Sequence, residues 1–313
     1  MRAFNVLSPG VLTLIQDLGR TGVGHIGLSS GGPADLHAFC WANRLVGNST
    51  QSAALEITMG GLVLEAINDV VVAIAGADMQ ATLDGHAIGN WRSFCVAKGQ
   101  KLKFGFARKG LRSYLAIHSG LKVHEQFGSG ATVVRNQMGG LPDNPGCALE
   151  KMSLLEVHKE SSAKLEPVWT ARRFIAEYPD VIEVPLIEGA QREQFTDQQM
   201  AKLYQSEFVV SDKLDRMGIR LEGEAIIPPI AGIISEGIAP GAVQIPPNGQ
   251  PIILINDRQT LGGYPKIGCV SKMGLMAIGQ CKPGTKVRFI PSELSDELER
   301  FKSFAKFFGL YSR

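Results

Sequence analysis

Glycine and proline cut the apolar residues of this chain into short runs from one end to the other, and that interruption limits its fold more than any other feature. An amphipathic helix needs apolar positions recurring every three to four residues over several turns. Brief runs rich in valine and isoleucine suit strands instead. Residues 69–75, 101–106, 113–118, 181–187, 207–210, 226–227 and 286–290 read this way. Asp84-Gly85, set between residues 79–83 and 86–88, is the dipeptide favoured in two-residue hairpins. Closely spaced strands with glycine-rich turns predict a mainly β chain of barrels or sandwiches rather than an alternating βαβ sheet.

Helices are few. Residues 33–46 begin with a proline, carry Leu36, Phe39, Cys40 and Leu45, and stop at Gly47. Thr196 followed by Gln199 is a capping box opening a short helix through Met200, Leu203 and Tyr204. From about Ser292, the residues Leu294, Leu298, Phe301, Ala305 and Phe308 share one helical face. A length of 313 residues favours two domains. The patternless polar stretch 161–176 divides them into β-rich halves, 1–165 and 166–313. The Pro/Gly-rich region 228–251, which holds Glu236 and Gln244, reads as site-forming loops.

A formal charge of +2 and the lack of any Lys/Arg block argue against nucleic acid or an anionic membrane as partner. No apolar run reaches the ~18 residues that span a bilayer. The first residues lack a signal-peptide apolar region, so a cytoplasmic protein is expected. Five scattered cysteines without a C-x-x-C pair suggest buried small hydrophobes rather than a zinc or redox site.

Residues 251–268 hold the densest polar cluster. The run Ile252 to Ile255 feeds into Asp257, Arg258, Gln259 and Thr260, then Gly262-Gly263, Tyr264 and Lys266. This pattern is a buried strand opening into a tight loop whose glycines let backbone N–H groups approach a ligand. The early segment 12–27 lies over it: Leu14, Ile15, Asp17 and Gly22 align with Leu254, Ile255, Asp257 and Gly262. The match suggests a weak internal repeat of two strand–loop units.

Asp17, Asp35, Glu56, Glu236 and Asp257 sit beside glycines or small residues, where a carboxylate holds Mg²⁺, acts as a base or simply caps backbone. Arg20, Arg216, Arg258 and Lys266 are the cations that phosphoryl or carboxyl groups need, or else surface ion-pair partners. Asn43 and Asn48 flank the end of the first helix, and His118 ends an apolar strand as a buried, hydrogen-bonded ring would. Gly22-Val-Gly24-His-Ile-Gly27 fits G-x-G-x-x-G, but no helix opens at its last glycine, so it is no dinucleotide fingerprint. Neither a phosphate loop, a G-x-S-x-G elbow nor an H-E-x-x-H helix occurs.

An ordered series of motifs resembles one family: Gly10-Val-Leu-Thr-Leu-Ile-Gln-Asp-Leu-Gly-Arg20, Ser30-Gly-Gly-Pro-Ala-Asp35, Ala42-Asn-Arg-Leu-Val-Gly-Asn48, Leu55-Glu-Ile-Thr58, Asp215-Arg-Met-Gly-Ile-Arg-Leu-Glu-Gly223, Ser235-Glu-Gly237, residues 241–251, and the polar cluster through Lys266. From about residue 4 to 291 the chain is similar to the biotin-dependent carboxyltransferase family. That family includes the C subunit of bacterial ATP-dependent 5-oxoprolinase, the Kip antagonist and the second half of the urea carboxylase carboxyltransferase module. The resemblance implies cyclophilin-like β-barrel subdomains with a few short helices. It also implies a Kip-inhibitor-like B subunit sharing the site, and a third partner, the A subunit. The implied reaction opens 5-oxo-L-proline to L-glutamate with ATP, and with it Mg²⁺, through phosphorylation of the lactam carbonyl. On this reading Asp17, Arg20, Asp257 and Lys266 are catalytic. Asp35, Asn43, Arg216, Glu236, Gln244, Gln259, Thr260, Gly262, Gly263 and Tyr264 bind substrate and phosphate, and the metal is unidentified.

The chain departs from the family at Gly128-Ser-Gly-Ala-Thr132, where Gly-Ser-Arg-Ser-Thr is usual, at Ser271-Lys-Met-Gly274 and around 144–150. Two other functions stand beside the first. One is a carboxyltransferase for urea or a similar amide, served by a separate biotin carrier because this chain has no Ala-Met-Lys-Met motif. The other is a non-catalytic regulator that binds a partner.

Overall fold

The computed structural model describes residues 1–159, 166–228 and 230–310. The chain forms two compact units, one of residues 1–21 and 30–178, the other of residues 22–29 and 179–313. The boundary expected at 165 falls at the edge of 160–165, outside the described residues.

In the first unit a six-stranded sheet runs in the order β13 (Leu154–Glu156), β1 (Arg2–Pro9), β4 (Leu62–Ala66), β9 (Lys101–Lys103), β6 (Thr82–Leu83), β7 (His86–Ala87). A five-stranded sheet runs β2 (Leu12–Gln16), β3 (Ala54–Thr58), β10 (Lys109–Ile117), β5 (Val70–Asp78), β8 (Arg92–Val96). Both give one face to a shared core: Phe4, Val6 and Leu64 from the first sheet, Ile57, Val72 and Leu115 from the second. The opposite face of the five-stranded sheet carries α1 (Leu36–Leu45), which packs on β3, β5, β8 and β10, with Phe39 edge-on to Tyr114. Asp35, and not the proline at 33, opens this helix, its carboxylate accepting from Ala38 N at 3.1 Å. Asp84 and Gly85 both take positive φ between β6 and β7, the backbone a tight hairpin requires. A small pair, β11 (Gly140–Leu141) and β12 (Asn144–Pro145), completes the unit.

The second unit is a closed seven-stranded barrel in the order β14 (Val181–Glu188), β21 (Lys266–Val270), β18 (Ala242–Gln244), β19 (Ile252–Leu254), β16 (Gly218–Glu222), β15 (Phe208–Leu214), β22 (Lys286–Pro291). All its neighbouring strands are antiparallel except β14 and β22. Alternation fills the interior with Val184, Phe208, Ile219, Leu221, Val243, Ile253, Ile267 and Phe289, so the barrel is packed. A two-stranded ribbon, β17 (Glu236–Gly237) with β20 (Leu261–Gly262), lies beside it in sequence.

The capping box expected at Thr196 is formed and starts α2 (Asp197–Gln205). The departure at Ser271 proves to be a helix cap, Ser271 Oγ accepting from Gly274 N ahead of α3 (Lys272–Ile278), which the sequence pattern did not suggest. In α4 (Leu294–Phe308) the expected apolar face holds for Phe301, Ala305 and Phe308, while Leu294 and Leu298 are exposed and Glu297 is buried in their place. Residues 226–227 form no strand. Cys95 and Cys147 are exposed, against the expectation of buried thiols. No described helix is long and apolar enough to cross a membrane.

Candidate functional site

In the first unit the early motif is a staple. Asp17, just past β2, accepts from Gly19 N at 2.8 Å, Ser129 Oγ at 2.5 Å and Gly130 N at 2.6 Å. Arg20 is 3% exposed, and its three guanidinium nitrogens donate to the carbonyls of Gln126, Ala131 and Ser129. Gln16 Nε2 donates to Thr132 O at 2.9 Å, while its Oε1 accepts from Gly32 N. The three side chains therefore hold residues 126–132, which include the stretch 128–132 where this chain departs from the family pattern.

Asp35 and Asn43 belong to a buried framework around α1. Tyr178 donates to Asp35 at 3.1 Å, and Tyr114 donates to Glu56 at 2.7 Å while accepting from Asp35 N. Glu56 also accepts from Ala34 N and lies 3.5 Å from Arg112. Burial first, then the charges of Glu56 and Asp35, drive the Tyr114 phenol well above its ordinary range. Asn43 donates to Ser52 O and accepts from Asn48. His118 bonds Val46 O at 2.8 Å, the structural role expected of it.

In the second unit Asp257 and Arg216 form a bidentate pair at 2.8 and 2.9 Å, 6% and 5% exposed. Ser29, from the short early segment of this unit, donates to Arg258 O at 2.8 Å. The proposed repeat ends at the strand. Gly22 and Gly27 take positive φ around a 3-10 turn, whereas Gly262 and Gly268 lie in strands β20 and β21 with ordinary φ.

Strand alternation puts a second group on the barrel's outer face. Val243, Ile253 and Ile267 point inward, so Gln244, Ile252, Leu254 and Lys266 point outward. Lys266 pairs with Glu236, which also accepts from Gln191 Nε2, and Gln191 Oε1 accepts from Lys266 N at 2.7 Å. Beside these strands lies a cavity of about 380 Å³, floored by Gly218, Ile252 and Leu254 and reached by Gln244, Gln259 and Tyr264. Gln244 is 2% exposed, and its Nε2 has no hydrogen-bond partner. Gly262 makes room for it: a Cβ there would stand 2.7 Å from Nε2 and 2.4 Å from Ile238 Cδ1. Gly263 instead serves a close approach, its carbonyl accepting from Ile233 N at 2.7 Å, and Thr260 O accepts from Ile238 N.

Among the described residues no three His, Cys, Asp or Glu side chains converge to hold a metal. Asp17 is turned to backbone N–H groups and Asp257 to Arg216, so neither carboxylate fits Mg²⁺ as an open ligand. Arg20, turned to carbonyls, does not fit a nucleotide's phosphates.

Several known proteins share this architecture. The chain is 31% identical over 310 residues to the C subunit of 5-oxoprolinase from Escherichia coli strain K12, covering 97% of this chain and 96% of that one. It is 33% identical to a putative urea carboxylase of Emericella nidulans, covering 97% of this chain but 26% of that one. The crystal structure of the Kluyveromyces lactis urea carboxylase superposes with a TM-score of 0.90 at 28% identity, over 98% of this chain and 29% of that one. The solved structure of TTHA0988 gives a TM-score of 0.82 at 32% identity, with 93% of this chain and 56% of that one covered. Residues 26–291 match the model of the carboxyltransferase domain, subdomain A and B, and to that family this chain belongs.

Proposed function

We propose that this chain is the C subunit of an ATP-dependent 5-oxoprolinase, acting with the A and B subunits to open 5-oxo-L-proline to L-glutamate. The observation that carries the reading is the end-to-end match to the Escherichia coli protein, in which each chain covers nearly all of the other. Against the urea carboxylase of Emericella nidulans the chain spans only about a quarter of a longer protein. A lactam carbonyl is a poor electrophile, so catalysis rests on positioning and on electrostatic stabilisation of charge on its oxygen. This chain's contribution is to bind and orient the amide on the outer barrel face. Phosphoryl transfer falls to the assembled complex, because the carboxylates and Arg20 are committed elsewhere.

The test is co-purification with the A and B partners, followed by ATP hydrolysis with and without 5-oxo-L-proline. Stimulated hydrolysis is expected. Stimulation by urea and bicarbonate with a biotin carrier would instead favour the carboxyltransferase reading, which the Kluyveromyces lactis superposition supports. Hydrolysis unmoved by either compound would leave a partner-binding regulator. Lys266→Ala separates roles within the complex. Its ion pair is partly exposed and worth less than about 1 kcal/mol of stability. Activity should fall while the melting temperature holds.

A further inference from the structure

We infer that the exposed side of α1, together with residues 168–175 beside it, docks a second protein through an acidic face of that protein. In the complex proposed above, the occupant is the B subunit.

All three tryptophans of the chain, Trp41, Trp91 and Trp169, gather in this part of the first unit. His37 links two of them: its ring lies 5.5 Å from that of Trp91, and its Nε2 accepts from Trp41 Nε1. Trp41 and Trp91 are buried, whereas Trp169 is 59% exposed. Its backbone is nonetheless fixed. Residues 168–170 run along the edge of β8, where Ser93 N donates to Val168 O at 2.9 Å and Thr170 N to Trp91 O at 3.0 Å. Thr170 is buried and Trp169 faces out, as strand alternation requires. A large ring already held in place loses little freedom when a partner covers it, which is what an interface anchor needs.

Arginines complete the surface. The guanidinium of Arg92 sits 4.4 Å from the Trp169 ring centroid, that of Arg173 4.8 Å from Phe174 and that of Arg44 5.6 Å from Trp41. Phe174 in turn lies 5.4 Å from Trp41, which seats the 172–174 turn on α1. Stacking orients a guanidinium plane and leaves its edge to bond a carboxylate. Arg92, Arg173 and the exposed Arg172 form no ion pair among the described residues, although Glu166 and Glu177 flank the segment.

This composition sets the occupant. Aromatic residues and arginine are the types enriched at the centres of protein interfaces. Arginines without internal partners are complemented by carboxylates from outside. A second copy of this chain fits badly, because a twofold contact through this patch would set its arginines against one another. The choice of the B subunit rests on the 5-oxoprolinase reading, whereas the surface itself rests on the anchored tryptophan and the stacked arginines.

The test titrates purified B subunit into the full chain by calorimetry at low and high salt, with tryptophan fluorescence followed in parallel. Trp169→Ala should weaken association about tenfold or more with an unchanged melting temperature, and Trp169→Phe, which keeps a ring, should retain most of the affinity. The double variant Arg172→Glu/Arg173→Glu should also lose about tenfold or more, and its remaining affinity should depend less on salt than that of the unaltered chain. Lys101→Glu/Lys103→Glu makes the same charge change on β9, in the other sheet, and should bind within about twofold of the unaltered chain.

No association with the B subunit, or undiminished association in both the Trp169→Ala and the arginine variants, overturns the inference. An equal loss in the lysine variant does so too, since the attraction is then diffuse. Dimers of the chain alone that Trp169→Ala dissociates would make a second copy the occupant. Oligothymidylate binding that Trp169→Ala abolishes, with B binding intact, would make it a nucleic acid. Either result overturns the proposal. If the variants lose the B subunit but the unaltered complex hydrolyses no ATP with 5-oxo-L-proline, the surface stands and the 5-oxoprolinase reading falls. If they assemble into a fully active complex, the reading stands and the surface falls.

Discussion

Arg20 illustrates how a charged residue in a motif can be spent on architecture. Each of its guanidinium nitrogens donates to a backbone carbonyl within residues 126–131. Truncation removes three hydrogen bonds from a charged, buried donor at once, so Arg20→Ala should cost about 3 kcal/mol or more, read by chemical denaturation. Cleavage within residues 126–132 under limited proteolysis should rise with it. Arg216→Ala leaves the Asp257 carboxylate buried without its bidentate partner and should cost about 3–5 kcal/mol. His37 carries a pH dependence. Burial lowers its pKa below the ordinary 6.5 and outweighs the nearby Asp35 charge, and its Nε2 accepts from Trp41 Nε1 at 3.1 Å. The unfolded chain takes up a proton below about pH 6.5 that the folded ring resists, so stability is whole above that pH and falls beneath it. Melting temperatures at pH 7.5 and 5.5 should differ by less in His37→Gln than in the unaltered chain.

At the scale of the element, local rules carried most of the weight where a motif closes on itself. The Thr196 capping box and the Asp84-Gly85 hairpin each need only residues within four positions, so both were legible before any contact was known. The face of α4 was legible only in its second half. Its first turn offers Leu294 and Leu298 to solvent and buries Glu297, whose Oε1 accepts from Ser292 and Arg300. Periodicity reports which residues share a face, but neighbours decide how much of that face is covered. Gly262 belongs to this scale as well. Gly262→Ala should displace the Gln244 amide and Ile238 together and lower the melting temperature, read by calorimetry.

For the molecule as a whole, each unit has a large core of its own. Phe4 is fully buried between the sheets of the first unit and Phe289 lies inside the barrel of the second. Phe4→Ala and Phe289→Ala should each cost about 3–5 kcal/mol. The double variant should lose their sum to within about 0.5 kcal/mol, measured by calorimetry, because the two share no packing partner. Residues 22–29 also belong to the later unit, which no composition shift in the chain announces. The short glycine-cut runs by themselves determined that the protein would be mainly β, because strand period and turn chemistry are properties of neighbours along the chain. The same holds for the family, written in motifs that can be read in order. Which polar residues are tied up and which remain open was decided by tertiary structure alone. Asp17 and Gln244 look alike as polar residues at strand ends, yet residues more than a hundred positions away satisfy the first, while the Nε2 of the second is buried without a hydrogen-bond partner.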